Sequence, residues 1–170
     1  GRQRRFAAEE WPGVPKKLWD EARKEARGQE LPRRGPTLIA CDIDAESLRL
    51  AARNAELAGV AGDIEFSRRD ARSTPADSLF GCLVANPPYG ERLGTAPEIA
   101  KLYEDFGRVM SRMETWSHYV LTAFPEFEQR VGRKADRRRK LFNGRIECAY
   151  YQFQGPRPPR DEPSAGDASR

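Results

Sequence analysis

The chain has 170 residues, with 30 lysines and arginines against 26 aspartates and glutamates and a formal net charge of +4. That length suits one domain with a single core, and the weakly basic balance allows a nucleic-acid partner without establishing one. Neither a signal peptide nor a run of about 18 apolar residues is found, so export and membrane spanning are not supported. We expect a cytoplasmic protein.

The cysteines and the one histidine do not suggest a metal site. Cys41, Cys82 and Cys148 have no short ligand spacing between them, and His118 stands alone. Two of the three cysteines lie in apolar runs that look like strands. We therefore expect buried free thiols in a reducing compartment and no bound metal.

The first half of the chain alternates helices with strands. Apolar residues at helical spacing predict a helix from Lys16 to about Gln29 and a second from Ala45 to Ala58. Short apolar runs predict buried strands in TLIAC, before Asp42, and in GCLVA, before Asn86, and a further strand is predicted in IEFSRR, before Asp70. Each of these strands is therefore followed by a polar residue.

The second half contains one long helix and a hairpin. Apolar residues keep the 3.6-residue period from Ile99 to Met113, and Pro97 suits the first turn of that helix. A strand is predicted in HYVLTAF and a short helix in PEFEQRVGRKA. Asn143 and Gly144 join two β-rich runs, and because both tolerate the positive φ of a type I′ turn they predict a hairpin. The segment 155–170 is predicted to be a disordered tail.

Strands that alternate with helices predict an α/β fold with a mostly parallel sheet, to which the terminal hairpin adds an antiparallel edge. In such sheets, ligands bind at the carboxyl ends of the strands. Asp42, Asp70 and Asn86 each follow a predicted strand. We therefore expect these three residues to lie at a ligand site.

The two aspartates are candidates for nucleotide recognition. Asp42 can accept both hydroxyls of a ribose, with Ile43 against an adenine face, although Asp44 competes for the same role. The letters DIDAES also predict a helix N-cap, with Asp44 as the cap residue and a serine three positions later. Asp70 can accept an adenine amine while the Ala71 backbone meets a ring nitrogen; the alternative is a simple turn after the strand.

The letters LVANPPYGERLG, residues 83–94, carry the most specific signal. Pro87 fixes its own φ and keeps Asn86 extended, and since neither Pro87 nor Pro88 has an N–H, we expect the carbonyls here to face outward without an internal donor. The Asn86 side-chain oxygen and the Pro87 carbonyl can then accept the two hydrogens of a planar amine while Tyr89 stacks on its ring. This localises the nitrogen lone pair for attack on an electrophilic methyl group. The alternative is a proline-rich turn that closes a strand.

These residues resemble class I S-adenosylmethionine-dependent methyltransferases, and within them the 23S rRNA guanine-N2 methyltransferase family that carries a THUMP domain before its catalytic domain. The similarity runs in order through ACDIDAESLRLAARNAELAGV, RRDAR, NPPYGERLG and RKLFNGRIECAYYQFQ, between Trp11 and Gln154. It implies a Rossmann-like class I methyltransferase sheet over residues 1–154. The family's first strand and glycine-rich loop would precede Gly1, so we expect a partial catalytic domain that is inactive alone.

The resemblance also implies a role for each strand end. The residues implied for binding S-adenosylmethionine are Asp42, Ile43, Asp70, Ala71 and Asn86. Those implied for holding the target amine are Asn86, Pro87, Pro88 and Tyr89. The implied reaction is direct methyl transfer to guanine N2 of rRNA, without a covalent enzyme intermediate and with the nucleotide extruded from its helix. Adenine N6 is the alternative target.

A basic segment lies close to the predicted hairpin. Between Arg130 and Arg145 there are eight lysines and arginines against one acidic residue. The candidates for contact with RNA phosphates are Arg133, Lys134, Arg137, Arg138, Arg139 and Lys140. One alternative is a solvated surface, because no aromatic residues interleave with these cations. Another is a non-catalytic RNA-binding module.

Overall fold

The structure is a computed structural model that describes residues 5–30, 38–75, 78–89 and 95–159. Within these ranges no helix is both long and apolar enough to cross a membrane. The chain divides into two compact units, Gly1–Asp70 and Ala71–Arg170. The prediction that residues 1–154 form one partial domain stays a prediction.

The first unit contains two helices and a two-stranded parallel sheet. Helix α1 spans Lys16–Gly28 and helix α2 spans Ala45–Ala58. Strand β1 (Leu38–Asp42) pairs in parallel with strand β2 (Ile64–Arg68). All four elements occur where the sequence predicts them, while Thr37, the first residue of the predicted TLIAC strand, lies outside the described residues.

The second unit is built on a four-stranded mixed sheet in the order β3-β4-β6-β5. The strands are β3 (Cys82–Ala85), β4 (Ser117–Thr122), β5 (Arg137–Asn143) and β6 (Ile146–Phe153). Strands β3 and β4 are parallel, whereas β6 is antiparallel to both of its neighbours. The predicted α/β fold with a C-terminal antiparallel hairpin is confirmed.

Helix α3 (Ala96–Arg112) supplies one side of the core of the second unit. It begins with a capping box between Thr95 and Glu98, with a proline in its first turn. Residues of α3 at helical spacing pack against β4 and β6 because they share one face of the helix. The buried core cluster comprises Ile99, Tyr103, Phe106, Met110, Val120, Phe127, Val131, Tyr151 and Phe153.

Helix α4 (Phe127–Val131) is shorter than the helix predicted in PEFEQRVGRKA. Gly132 ends it with a φ of 71°, in the left-handed region that favours glycine. The basic residues that follow Gly132 therefore lie outside the helix. Four of the six RNA candidates, from Arg137 to Lys140, lie on strand β5 itself.

The hairpin turn differs from the predicted type I′ turn. Asn143 pairs with Ile146, so the loop consists of Gly144 and Arg145. Gly144 has a φ of 63°. Every residue with a positive φ in the described ranges is a glycine, so the φ of Arg145 is negative. Glycine at the first loop position is the pattern of a type II′ turn. Asn143 is an ordinary extended strand residue, and the turn does not require an asparagine there.

Strands β1 and β3 are more exposed than predicted. Leu38 and Val84 are 66% and 73% exposed. Cys41 and Cys82 are also exposed, and only Cys148 is buried, so the prediction of buried thiols was wrong for the first two. The physical reason is that side-chain burial depends on what packs against the faces of a strand, and within the described residues the faces of β1 and β3 are largely uncovered. A further strand of the sheet, expected before Gly1, stays a prediction.

Candidate functional site

Two aspartates lie at the carboxyl end of β1: Asp42 is its last residue, and Asp44 caps helix α2. The Asp44 carboxylate accepts hydrogen bonds from the Ser47 amide at 2.9 Å, from the Ser47 hydroxyl at 2.7 Å and from the Glu46 amide at 3.3 Å. These bonds, those from Ser47 first, hold the pKa of Asp44 below its usual value. The predicted N-cap is confirmed. Asp44 is thus committed to the helix, which leaves Asp42 as the stronger ribose candidate.

Asp42 is exposed at the carboxyl end of β1. Its Oδ1 accepts a hydrogen bond from the Asp44 amide at 2.9 Å, which orients the carboxylate. No further partner of the Asp42 carboxylate is present in the part of the chain that the structure describes. The neighbouring Ile43 side chain is 61% exposed, while its carbonyl accepts a bond from Arg68 Nε at 3.0 Å. Oxygen and apolar surface are therefore both accessible here.

Asp70 lies at the same end of the parallel pair as Asp42. Arg68, the last residue of β2, is in register with Asp42, and Asp70 follows two positions later. The structure thus brings these two predicted residues to one end of the first unit. Ala71 begins the second unit, in a short 3₁₀ turn.

The loop after β3 carries the candidate amine-holding residues. Asn86 is exposed, whereas Pro87, Pro88 and Tyr89 are half-buried. Within the described residues no internal donor contacts the Asn86 side chain or the Pro87 carbonyl. Both groups therefore stay candidate acceptors. The remainder of the motif, residues 90–94, lies outside the described residues.

The Pro88 carbonyl is turned toward the protein interior, contrary to the expectation that both proline carbonyls face outward. Tyr103 on helix α3 donates a hydrogen bond to the Pro88 oxygen at 3.0 Å. The Tyr103 side chain is fully buried, and a buried hydroxyl needs an acceptor. The carbonyl that satisfies it is therefore unable to face outward.

A second buried hydroxyl supports Tyr103. The Tyr103 and Thr122 hydroxyl oxygens lie 2.7 Å apart, and Thr122 Oγ1 accepts a bond from the Phe124 amide at 3.1 Å. Because the one hydrogen of Tyr103 goes to Pro88, Thr122 must be the donor between the two hydroxyls. Burial raises the pKa of Tyr103 to about 12, so this side chain remains a donor at physiological pH.

Tyr89 is held from the hairpin. Its hydroxyl oxygen accepts a hydrogen bond from Asn143 Nδ2 at 2.7 Å and lies 3.6 Å from the buried Sγ of Cys148. Asn143 is the last residue of β5, and Cys148 belongs to β6. The loop after β3 is thus fixed at two points, at the Pro88 carbonyl and at the tip of the Tyr89 ring.

Sequence reasoning missed Tyr103, Thr122 and Asn143. A signal was available for Tyr103, because a residue with a polar tip lies on the apolar face of a predicted helix and needs a partner there. Asn143 was interpreted as a turn residue of the hairpin, so the hydrogen bond from its side chain to Tyr89 was not predicted. For Thr122, nothing local in the sequence indicates the contact.

The basic candidates on β5 fall into two groups. Arg138 pairs with Glu128, with its guanidinium 5.7 Å from the centre of the Tyr151 ring, and Lys140 pairs with Glu147 at 2.7 Å. For the other candidates no ion pair is found within the described ranges. Those residues are Arg133, Lys134, Arg137 and Arg139.

Aromatic residues lie beside these cations, although none interleaves with them in the sequence. Arg139 is in register with Tyr150 on β6, and Tyr150 stacks on Tyr119 of β4 with ring centres 6.1 Å apart. The Arg133 guanidinium lies 5.3 Å from the centre of the Phe153 ring. Across the described residues, no cluster of three or more potential metal ligands occurs.

Comparison with known proteins gives a consistent family. Residues 2–152 match the family described as "RMKL-like, methyltransferase domain". The protein named "Putative RNA methyltransferase YpsC", from Bacillus subtilis, is 39% identical over 153 residues, which are 90% of this chain and 40% of that protein. "Ribosomal RNA large subunit methyltransferase K/L" of Shewanella baltica is 36% identical over 169 residues, which are 96% of this chain and 24% of that protein.

A solved structure supports the fold. The solved structure described as "Crystal structure of SMU.472, a putative methyltransferase complexed with SAH" superposes with a TM-score of 0.83 at 35% identity, over 94% of this chain and 42% of that one. This likeness confirms the predicted Rossmann-like class I methyltransferase fold. The chain spans less than half the length of each of these three proteins. The chain belongs to the RMKL-like methyltransferase domain family.

Proposed function

We propose that this chain is part of an enzyme that transfers a methyl group from S-adenosylmethionine to an exocyclic base amine of RNA, with guanine N2 of 23S rRNA as the target. The proposal rests on the loop after β3, where no donor within the described residues contacts the Asn86 side chain or the Pro87 carbonyl. The next two residues of the loop are held by hydrogen bonds from α3 and β5. The names of the relatives, an RNA methyltransferase and a ribosomal RNA methyltransferase, support RNA as the substrate.

The target amine has two hydrogens, and the loop offers two acceptors for them. Because Tyr103 occupies the Pro88 carbonyl, the acceptors are Asn86 Oδ1 and the Pro87 carbonyl oxygen. Holding both hydrogens keeps the nitrogen lone pair out of the base ring and directs it outward. Tyr89 provides the flat surface on which the base rests. Pro88 contributes rigidity and not an acceptor.

The residues of the first unit fit the cofactor chemically. Asp42 presents an accessible carboxylate at a strand end, which suits the two ribose hydroxyls, and Ile43 offers apolar surface for the adenine. We assign Asp70 and the Ala71 backbone to the adenine edge. When bound, S-adenosylmethionine supplies an electrophilic methyl group, whose transfer forms an N–C bond, breaks an S–C bond and releases one proton from the nitrogen. The SAH complex of SMU.472 supports this cofactor.

The RNA backbone is proposed to contact the basic candidates around β5. Arg133, Lys134, Arg137 and Arg139 are the stronger candidates, because Arg138 and Lys140 already have carboxylate partners that offset their charge. All of β5 is exposed, and its last residue contacts Tyr89. A strand that runs from the cations to the base-stacking ring is a suitable track for the substrate.

We also propose that residues 1–170 alone do not bind S-adenosylmethionine tightly. In the part of the chain that the structure describes, β1 and β3 each pair along one edge, and this supports the proposal of an incomplete sheet. Calorimetric titration of the 170-residue chain tests the proposal. Micromolar binding would contradict it.

The test of the proposed function is methyl transfer by the protein as its gene encodes it. Radiolabelled S-adenosylmethionine and 23S rRNA from a strain without the gene are the substrates, and the modified nucleoside is identified by mass analysis. We expect N2-methylguanosine. Detection of N6-methyladenosine would mean that adenine, and not guanine, is the target base. No methylation, together with RNA binding that survives Asn86→Ala, would support a non-catalytic RNA-binding module instead.

A further inference from the structure

The amide of Asn143 lies at the tip of the Tyr89 ring, and we propose that it is a positioning residue for that ring. This inference rests on the function proposed above, in which Tyr89 stacks on the target base. Asn143 contacts neither the base nor the cofactor in this account. It acts through the hydroxyl of Tyr89, at 2.7 Å.

Turn geometry does not explain the asparagine. The loop of the hairpin is Gly144 and Arg145, and Asn143 has no positive φ. The residue is also exposed, so packing does not dictate its identity. An exposed, extended strand position accepts most residue types. What distinguishes asparagine here is a short side chain with an N–H donor directed at Tyr89.

The ring of Tyr89 is constrained at both ends. At its backbone end, the two prolines restrict φ, and the Pro88 carbonyl is bonded to the buried Tyr103 hydroxyl. At its hydroxyl end, the oxygen accepts from Asn143, with the Cys148 thiol beside it. A tyrosine side chain has two rotatable angles, so fixing its tip in addition to its base selects one ring orientation. Replacing Asn143 by alanine removes the hydrogen bond that holds the Tyr89 hydroxyl and allows the ring to rotate.

Ring orientation matters because a stacked base follows the plane of its partner. If the ring turns, the amine moves away from Asn86 Oδ1 and the Pro87 carbonyl, and misplacement by about 1 Å costs up to about 100-fold in rate. Cofactor binding does not depend on this ring. The expected defect is therefore in kcat for methyl transfer and not in the KM for S-adenosylmethionine.

The first experiment is a double-mutant cycle in the protein as its gene encodes it. We expect Asn143→Ala and Tyr89→Phe each to lower kcat about tenfold with an unchanged KM for S-adenosylmethionine. Because both changes remove the same hydrogen bond, the double variant should be no slower than the slower single variant. Asn54→Ala is the matched control: it removes the same kind of side chain from an exposed position on helix α2, and the rate should not change.

Two kinetic results would overturn the inference. In one, Asn143→Ala leaves kcat unchanged and lowers only the melting temperature, which is the behaviour of a purely structural contact. In the other, the two single effects multiply in the double variant, which means that Asn143 and Tyr89 act independently.

A second experiment reads the ring directly, whether or not methyl transfer is observed. In NMR spectra we expect the Asn143 side-chain amide to be protected from solvent exchange and to lose that protection in Tyr89→Phe, while Asn54 is unaffected. Averaging of the Tyr89 ring signals should also become faster in Asn143→Ala. An Asn143 amide that does not respond to Tyr89→Phe would refute the contact. If the unsubstituted protein transfers no methyl group, the proposed function fails, and these signals still decide whether Asn143 orients Tyr89.

Discussion

The Tyr103 hydroxyl donates a 3.0 Å hydrogen bond to the Pro88 carbonyl oxygen, which links the buried face of helix α3 to the loop after β3. This bond gives the loop one inward-facing carbonyl. The two groups before it, the Asn86 side chain and the Pro87 carbonyl, have no donor within the described residues. The second proline of the motif is thereby an anchor, and the acceptors that we propose for the amine are on Asn86 and Pro87.

Tyr103→Phe should destabilise the protein by about 1–3 kcal/mol, because it leaves the Pro88 carbonyl and the Thr122 hydroxyl buried without their partner. Urea denaturation measures the loss. The control is Tyr119→Phe, which removes a weaker, exposed bond of 3.4 Å to Gln154. We expect that variant to lie within about 0.5 kcal/mol of the unsubstituted protein. Equal losses in the two variants would argue against the anchoring role of Tyr103.

His118 should make stability fall in mild acid. The side chain is 0% exposed, and neither ring nitrogen has a hydrogen-bond partner in the described part of the chain. Burial, and to a lesser extent the charge of Arg133, lowers the pKa of His118 to about 4 from 6.5. Between these values the unfolded chain binds a proton that the folded chain does not, so stability is complete above pH 6.5 and decreases as the pH falls toward 4.

The decrease should amount to roughly 3 kcal/mol over that interval. Denaturant midpoints measured from pH 7 to pH 4 test it, with His118→Leu as the comparison. In that variant the decrease attributable to the imidazole should disappear, while any contribution from carboxylates remains. Parallel pH curves for the two proteins would show that His118 is not the cause.

The two groups of cations on β5 should differ in their effect on RNA binding. Replacing Arg137 and Arg139 by alanine should weaken binding to single-stranded rRNA and lower the slope of log K against log salt by about one to two. Replacing Arg138 and Lys140 should have a smaller effect, since these side chains already have carboxylate partners. Filter binding across a salt series gives both slopes. Identical changes for the two double variants would refute the division.

Much of the fold could be predicted because its signals are local. The 3.6-residue period of α3 and the aspartate that caps α2 depend on residues within one or two helical turns, and both predictions are confirmed. The pairing of β1 with β2 follows from the rules for parallel α/β sheets. The exposure of the β1 and β3 side chains could not be predicted in this way, because their burial depends on which distant elements pack against the faces of the sheet.

The candidate site could be predicted only in part, for a similar reason. The motif itself indicates Asn86, Pro87 and Tyr89 as candidates, since the effect of a proline on the backbone depends on consecutive residues. The supports come from far along the chain: Tyr103 is 15 residues from Pro88, and Asn143 is 54 residues from Tyr89. For Asn143, the preference of Asn-Gly for type I′ turns predicted a turn position, whereas the residue is the last one of strand β5. Only the folded arrangement shows what that side chain contacts.

The proposed function depends on Asn86, which is proposed to hold the amine that is methylated. The most direct measurement compares methyl transfer to 23S rRNA by the unsubstituted protein and by Asn86→Ala at saturating S-adenosylmethionine, together with the Kd for S-adenosylmethionine in each. We predict that kcat falls by about 100-fold or more, by analogy with the loss of other groups that stabilise a transition state, while the Kd stays within about threefold. An Asn86→Ala variant that retains the kcat of the unsubstituted protein would contradict the account.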